Sequence, residues 1–174
     1  MASLLCVAIC CDAARVTAAN MRTFVESVRR KAAVVYVGSV KEVRLLQRTK
    51  FDIKAKAVLD VKAVMRGAGA NPREATIEFS SYDEKTPMLA GGPQYQLQPG
   101  AMVIIFANSF DASIPPGYLL HGSREELVRR VEALRDAVRK MSAEQLKVNE
   151  ITEEDRPVQL SLYDQLLAYL RPEK

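Results

Sequence analysis

Between residues 52 and 66 the chain alternates almost without interruption. Ile53, Ala55, Ala57, Leu59, Val61, Ala63 and Met65 fall on one face, and Asp52, Lys54, Lys56, Asp60, Lys62 and Arg66 on the other, with Val58 and Val64 as exceptions. A repeat of two puts successive side chains on opposite sides of an extended chain, and no helix reproduces it. The run outlasts an ordinary strand, so it must twist and coil, and it can serve two sheets around a barrel corner. Residues 67–72 (GAGANP) end it as an exposed turn.

Other segments follow the same rule. Residues 74–80 alternate, with Ala75, Ile77 and Phe79 inward. Residues 32–40 (AAVVYVGSV) and 101–107 (AMVIIFA) are nearly continuously apolar and β-branched, which suits strands covered on both faces. Gly38 sits where the first of these can bend or bulge to help close a small barrel. Residues 117–120 read as a short last strand. Two loops separate the strands, 81–99 and 108–117, both broken by proline and glycine.

Helical signals lie at the two ends. Residues 20–31 form a short amphipathic helix, with Asn20 as N-cap and Phe24, Val25 and Val28 on its apolar side. Ser123 and Glu126 make a capping box, followed by an apolar stripe of Leu127, Val128, Val131, Leu134, Val138 and Met141. Residues 142–158 read as a charged linker. A last helix over 160–171 carries Tyr163, Leu166, Leu167 and Leu170 at helical spacing, limited by Pro172. Its stripe fits either packing on the sheet or a partner.

The expected fold is therefore mainly β, of the α+β kind, with helices at one end of a barrel. The expected organisation is a signal peptide over 1–19, a barrel with flanking helices over 20–141, and a linker with a C-terminal helix over 142–174. The signal rests on the apolar run LLCVAICC and the small residues around Ala18 and Ala19. That run is too short to span a bilayer as a helix. Export to the cell envelope or beyond follows, and a cytoplasmic location if the N-terminus is not cleaved.

The chemistry expected of the chain is binding, not catalysis, with no cofactor and no metal. All three cysteines (Cys6, Cys10 and Cys11) fall within the presumed signal, so they cannot staple the domain. The single histidine, His121, has no companion ligands or nucleophile near it in sequence. Gly91-Gly92-Pro93 lacks the lysine and the strand-to-helix setting of a phosphate loop. Asp83 and Glu84, adjacent on extended chain, point apart and make poor paired acids. The net charge is +4, and most basic residues alternate with acids. The Lys54, Lys56, Lys62 and Arg66 face is the best basic stripe, but it lacks aromatic residues on which bases would stack.

One order of motifs points to a family. A short helix precedes Ala33-Val34-Val35-Tyr36-Val37-Gly38-Ser39-Val40. A long strand follows, ending in Val61-Lys62-Ala63-Val64-Met65-Arg66-Gly67, and the series closes on Leu97-Gln98-Pro99-Gly100-Ala101-Met102-Val103-Ile104-Ile105-Phe106. This resembles the netrin-like fold of the tissue inhibitors of metalloproteinases and their bacterial secreted relatives, over about residues 22–120. There the corresponding strands read AD-x-VF-x-G-x-V, V-x-x-V-x-KG and L-x-x-G-x-x-Y-L-V-F. The resemblance implies a five-stranded Greek-key barrel of the oligonucleotide/oligosaccharide-binding (OB) type. It implies no inhibition by itself, because the inhibitors chelate zinc through a mature N-terminal Cys-x-Cys, whereas Cys10 and Cys11 are adjacent.

The function expected is an exported protein-interaction module. Metalloproteinase inhibition is the alternative and nucleic-acid binding the second alternative. Barrels of this class bind through loops and an open face, so the contact surface is placed on the two long loops and their aromatic residues: Tyr82, Asp83, Tyr95, Phe110 and Tyr118.

Overall fold

A computed structural model describes residues 29–50, 52–67, 71–83, 95–114, 118–149 and 151–171. The expected signal peptide and most of the expected N-terminal helix lie outside them. Arg29 to Lys31 are helical, and the strands begin directly after.

Six strands form one sheet: β1 (Val34–Arg48), β2 (Ile53–Arg66), β3 (Glu74–Ser81), β4 (Met102–Ala107), β5 (Asp111–Ser113) and β6 (Leu119–Gly122). Their order is β5-β3-β2-β1-β4-β6. Every neighbouring pair is antiparallel except β3 and β5, which run parallel over three residues. The mainly β, α+β expectation holds. The sheet is open in its hydrogen bonding and has six strands, one more than expected, because the loop anticipated over 108–117 contains β5. The Asp111 carboxylate pins that strand, accepting from the Thr76 amide (3.0 Å) and hydroxyl (2.6 Å).

Both faces of this sheet are covered. Val34, Tyr36 and Val40 of β1 point into one core with Ala57, Leu59, Ile77, Phe79, Val103 and Ile105. The alternate residues Val35 and Val37 point into a second core, with Ile104, Phe106 and the helices. Two-sided burial explains the nearly unbroken apolar runs of β1 and β4.

The long alternation of β2 does not run true to its end. Lys62 and Met65 are skipped in the pairing of β2 with β1, so each marks a bulge. Beyond Lys62 the faces exchange. Val64, an exception in the sequence pattern, packs into the first core opposite Tyr36, and Met65 packs into the second. Gly38 sits at one of these irregularities, where a Cβ would lie 3.1 Å from the Asp60 carbonyl oxygen. The close approach of the two strands would force the Asp60 backbone to shift by a few tenths of an ångström to admit a side chain.

Three helices follow among the described residues, α1 (Arg124–Lys140), α2 (Ala143–Val148) and α3 (Asp155–Leu170), and α1 and α3 cover the second face. α1 starts as expected, with the Ser123 hydroxyl accepting from the Glu126 amide and Glu126 accepting from the Ser123 amide. Gly122 has φ +148°, and a Cβ there would meet the Glu126 carboxylate at 2.5 Å, so the box needs glycine beside it. The anticipated linker contains α2. It has its own capping box between Ser142 and Gln145 and buries Leu146. α3 begins five residues earlier than expected, with Pro157 in its first turn, where a missing N–H costs no intrahelical bond. Leu162, Tyr163, Leu166, Leu167 and Leu170 are all buried in the second core, so the stripe packs within the fold.

Arg156 ties these helices together. Its guanidinium donates to the carbonyls of Val138, Arg139 and Met141 at the C-terminal end of α1, where the helix runs out of backbone donors.

Candidate functional site

The five residues expected to form a binding surface separate into two groups. Tyr82 and Asp83 follow β3 at the end of the sheet and are half-buried. Gln96 donates to the Tyr82 carbonyl (3.2 Å), and Asp83 pairs with Arg48 at the end of β1 (2.5 Å). Asp83 is thus an ion-pair partner, with no second acid shown beside it among the described residues.

The other three pack on the first core, Tyr95 within it and Phe110 and Tyr118 partly buried against it. Tyr95 is buried, its amide donating to the Ser80 carbonyl and its ring set edge-on to Phe79 (6.4 Å) and His121 (6.1 Å). Phe110 is half-buried and packs on Tyr36, with ring centroids 5.3 Å apart. Tyr118 also packs against the first core, and its carbonyl accepts from the Phe106 amide. A loop position did not mean a fully exposed side chain here, because these aromatics pack on a core that the sheet lines with Ala55, Ala57 and Ala75.

The surface that remains is the far end of the β1–β2 pair. β4 accompanies β1 only from Val34 to Ser39, with a last bridge between Val40 and Ala101. From Lys41 to Arg48, β1 has β2 as its only strand neighbour among the described residues. On this stretch Leu45 is 58 % and Leu46 49 % exposed. Sequence reasoning missed this pair, although two adjacent leucines in the charged run VRLLQR were a readable signal. Lys41 and Leu46 are each skipped in the pairing with β2, and such bulges, with the nearby charges, twist an edge away from simple strand addition. What the surface offers a partner is side chains, with Leu45 in register with Ala55 and, beyond it, Phe79.

The basic stripe expected along β2 is broken by the bulges and matched with acceptors. Lys54 donates to Ser80 (2.7 Å) and lies 3.2 Å from Asp52. Lys62 pairs with Asp60 (2.5 Å), and Lys56 stands across from Glu78. Arg66 turns to the helix side, where one of its amino groups donates to the carbonyls of Arg30 (2.9 Å) and Ala32 (3.2 Å).

His121 lies on β6, opposite Val103. Burial lowers its pKa below the usual 6.5, nearby Arg130 adds to the effect, and Glu126 opposes it. Its ring therefore favours the neutral form. Among the described residues no three His, Cys, Asp or Glu side chains gather as metal ligands, and no helix is long and apolar enough to cross a membrane.

No protein-family model matches this chain, and no curated protein matches it either.

Proposed function

We propose that the chain is a non-enzymatic, exported protein-interaction module on a five-stranded Greek-key barrel of the netrin-like, OB type. The strand pairings support this architecture. β1 lies between β2 and β4, and β3 runs parallel to β5. β5 and β6, consecutive in the chain, lie on opposite edges of the sheet. At Ile114 the chain bonds to β3, through its amide and the Glu78 carbonyl, and at Tyr118 to β4, through its carbonyl and the Phe106 amide, so the two edges are served by neighbouring parts of the chain.

The observation that carries the interaction reading is the pair Leu45 and Leu46, exposed on the unaccompanied half of β1. Large apolar side chains clustered at an otherwise charged surface mark a protein contact more often than a solvent face. The acids already paired with Lys54 and Lys62 favour a protein over a polyanion.

A photo-crosslinking residue at Leu46, expressed in the native host, tests this. A discrete adduct should form there and disappear when Leu45→Asp is added. A crosslinker at Val148, equally exposed but on α2, should give none. No adduct, or the same products from both positions, would overturn the reading. The mass of the mature N-terminus tests export separately. A start near Ala19 or Asn20 supports it, and an intact Met1 overturns it.

A further inference from the structure

A groove of about 440 Å³ runs between the end of β2 and the outer side of α3, lined by Met65, Arg66, Pro157, Val158, Ser161, Leu162 and Gln165. Its walls mix apolar and polar surface, and Val158 stands 60 % exposed at its side. Ser161 and Gln165, joined at 3.4 Å, supply a hydroxyl and an amide.

The cation in this groove differs from two other half-buried arginines. Arg135 and Arg156, with side chains 18 % and 25 % exposed, each hold a carboxylate: Asp136 and Asp164 for the first, Glu153 for the second. Arg66 is also half-buried, but its acceptors among the described residues are two neutral carbonyls, both taken by the same amino group. Those two bonds fix the guanidinium and leave its remaining N–H groups for another acceptor. A guanidinium drawn partly out of water and held in place is best satisfied by a bidentate anion.

We propose that this groove binds a small aliphatic carboxylate. The carboxylate pairs with the open side of Arg66, and the hydrocarbon tail lies along Met65, Pro157 and Val158. The site is separate from the Leu45–Leu46 surface and does not depend on it.

Octanoate is the probe, titrated into the full chain while the methyl resonances of Met65, Val158 and Leu162 are followed. Saturable shifts confined to these methyls are expected by about 10 mM, the range one charge-assisted contact and a short tail should reach. Octylamine, with the same tail and the opposite charge, should produce none. Arg66→Met should weaken binding at least about tenfold. Because Arg66 also holds Arg30 and Ala32, a second variant, Val158→Asp, leaves those bonds intact and should abolish binding by placing a like charge beside the tail. Failure to saturate, equal shifts from octylamine, or undiminished binding to Val158→Asp would each overturn the proposal.

Discussion

Leu166→Ala is the sharpest test of how the helical layer holds the sheet. Leu166 is fully buried in the second core, which it shares with Val35, Val37, Ile104 and Phe106 of the sheet and with Leu127 and Val131 of α1. Truncation removes three carbons and leaves a cavity that two rigid layers cannot collapse to fill. Such changes cost about 2–5 kcal/mol, and a fully enclosed site between a helix and a sheet belongs near the middle, about 3 kcal/mol. For a chain of this size that corresponds to a Tm lower by about 6–12 °C. Urea unfolding should show the midpoint falling with an unchanged slope, since the surface exposed on unfolding is nearly the same. Val158→Ala, on the outer side of the same helix, should stay within about 0.5 kcal/mol of the parent. Equal losses from the two substitutions would refute the assignment of α3's inner face. A loss of under about 1 kcal/mol at Leu166 would refute the packing itself.

Two more tests use groups inside the fold. The Tyr36 hydroxyl is buried without a hydrogen-bond partner among the described residues, and burial, with Asp111 nearby, raises its pKa. Tyr36→Phe removes that unsatisfied group and should raise stability by about 1 kcal/mol in urea unfolding, whereas a loss of that size would mean the hydroxyl is bonded. His121, with its folded pKa below 6.5, takes up its proton less readily folded than unfolded. Its contribution is present above 6.5 and is lost as pH falls through the folded value, so His121→Gln should lose less stability than the parent between about pH 7.5 and about pH 5.5, and parallel losses would refute this.

The strands and α1 were legible because one physical signal sufficed for each. Alternation gave Ala75, Ile77 and Phe79 their inward face, two-sided burial explained the run from Val103 to Ala107, and the Ser123–Glu126 box placed the start of a helix. Where two signals competed, the pattern misled. The bulge at Lys62 exchanges the faces of β2, so periodicity alone put Val64 outside and Met65 on the wrong core. Bulges are set by the partner strand, which a single segment does not reveal. The burial of the aromatics assigned to a binding surface was missed for a related reason. Tyr95 and Phe110 sit among glycines and prolines, yet a sheet lined by Ala55, Ala57 and Ala75 needs large side chains from its connections to fill the space. α2 was readable from Ser142, Gln145 and Leu146, but the surrounding charge outweighed so short a helix. The exposed leucines were hidden by the length of β1, which runs eight residues past the apolar stretch that announces it.

The two-sided sheet also has a consequence for synthesis. Val35, Val37, Ile104 and Phe106 emerge from the ribosome well before residues 155–170, which supply much of their cover. Until α3 is made, a nascent chain that has already paired β1 with β4 presents an apolar sheet face to the cell. At ribosomal rates of about 5–20 residues per second, the interval from the end of β4 to the end of α3 lasts several seconds. That is ample time for a chaperone, or an aggregating neighbour, to reach the uncovered face first.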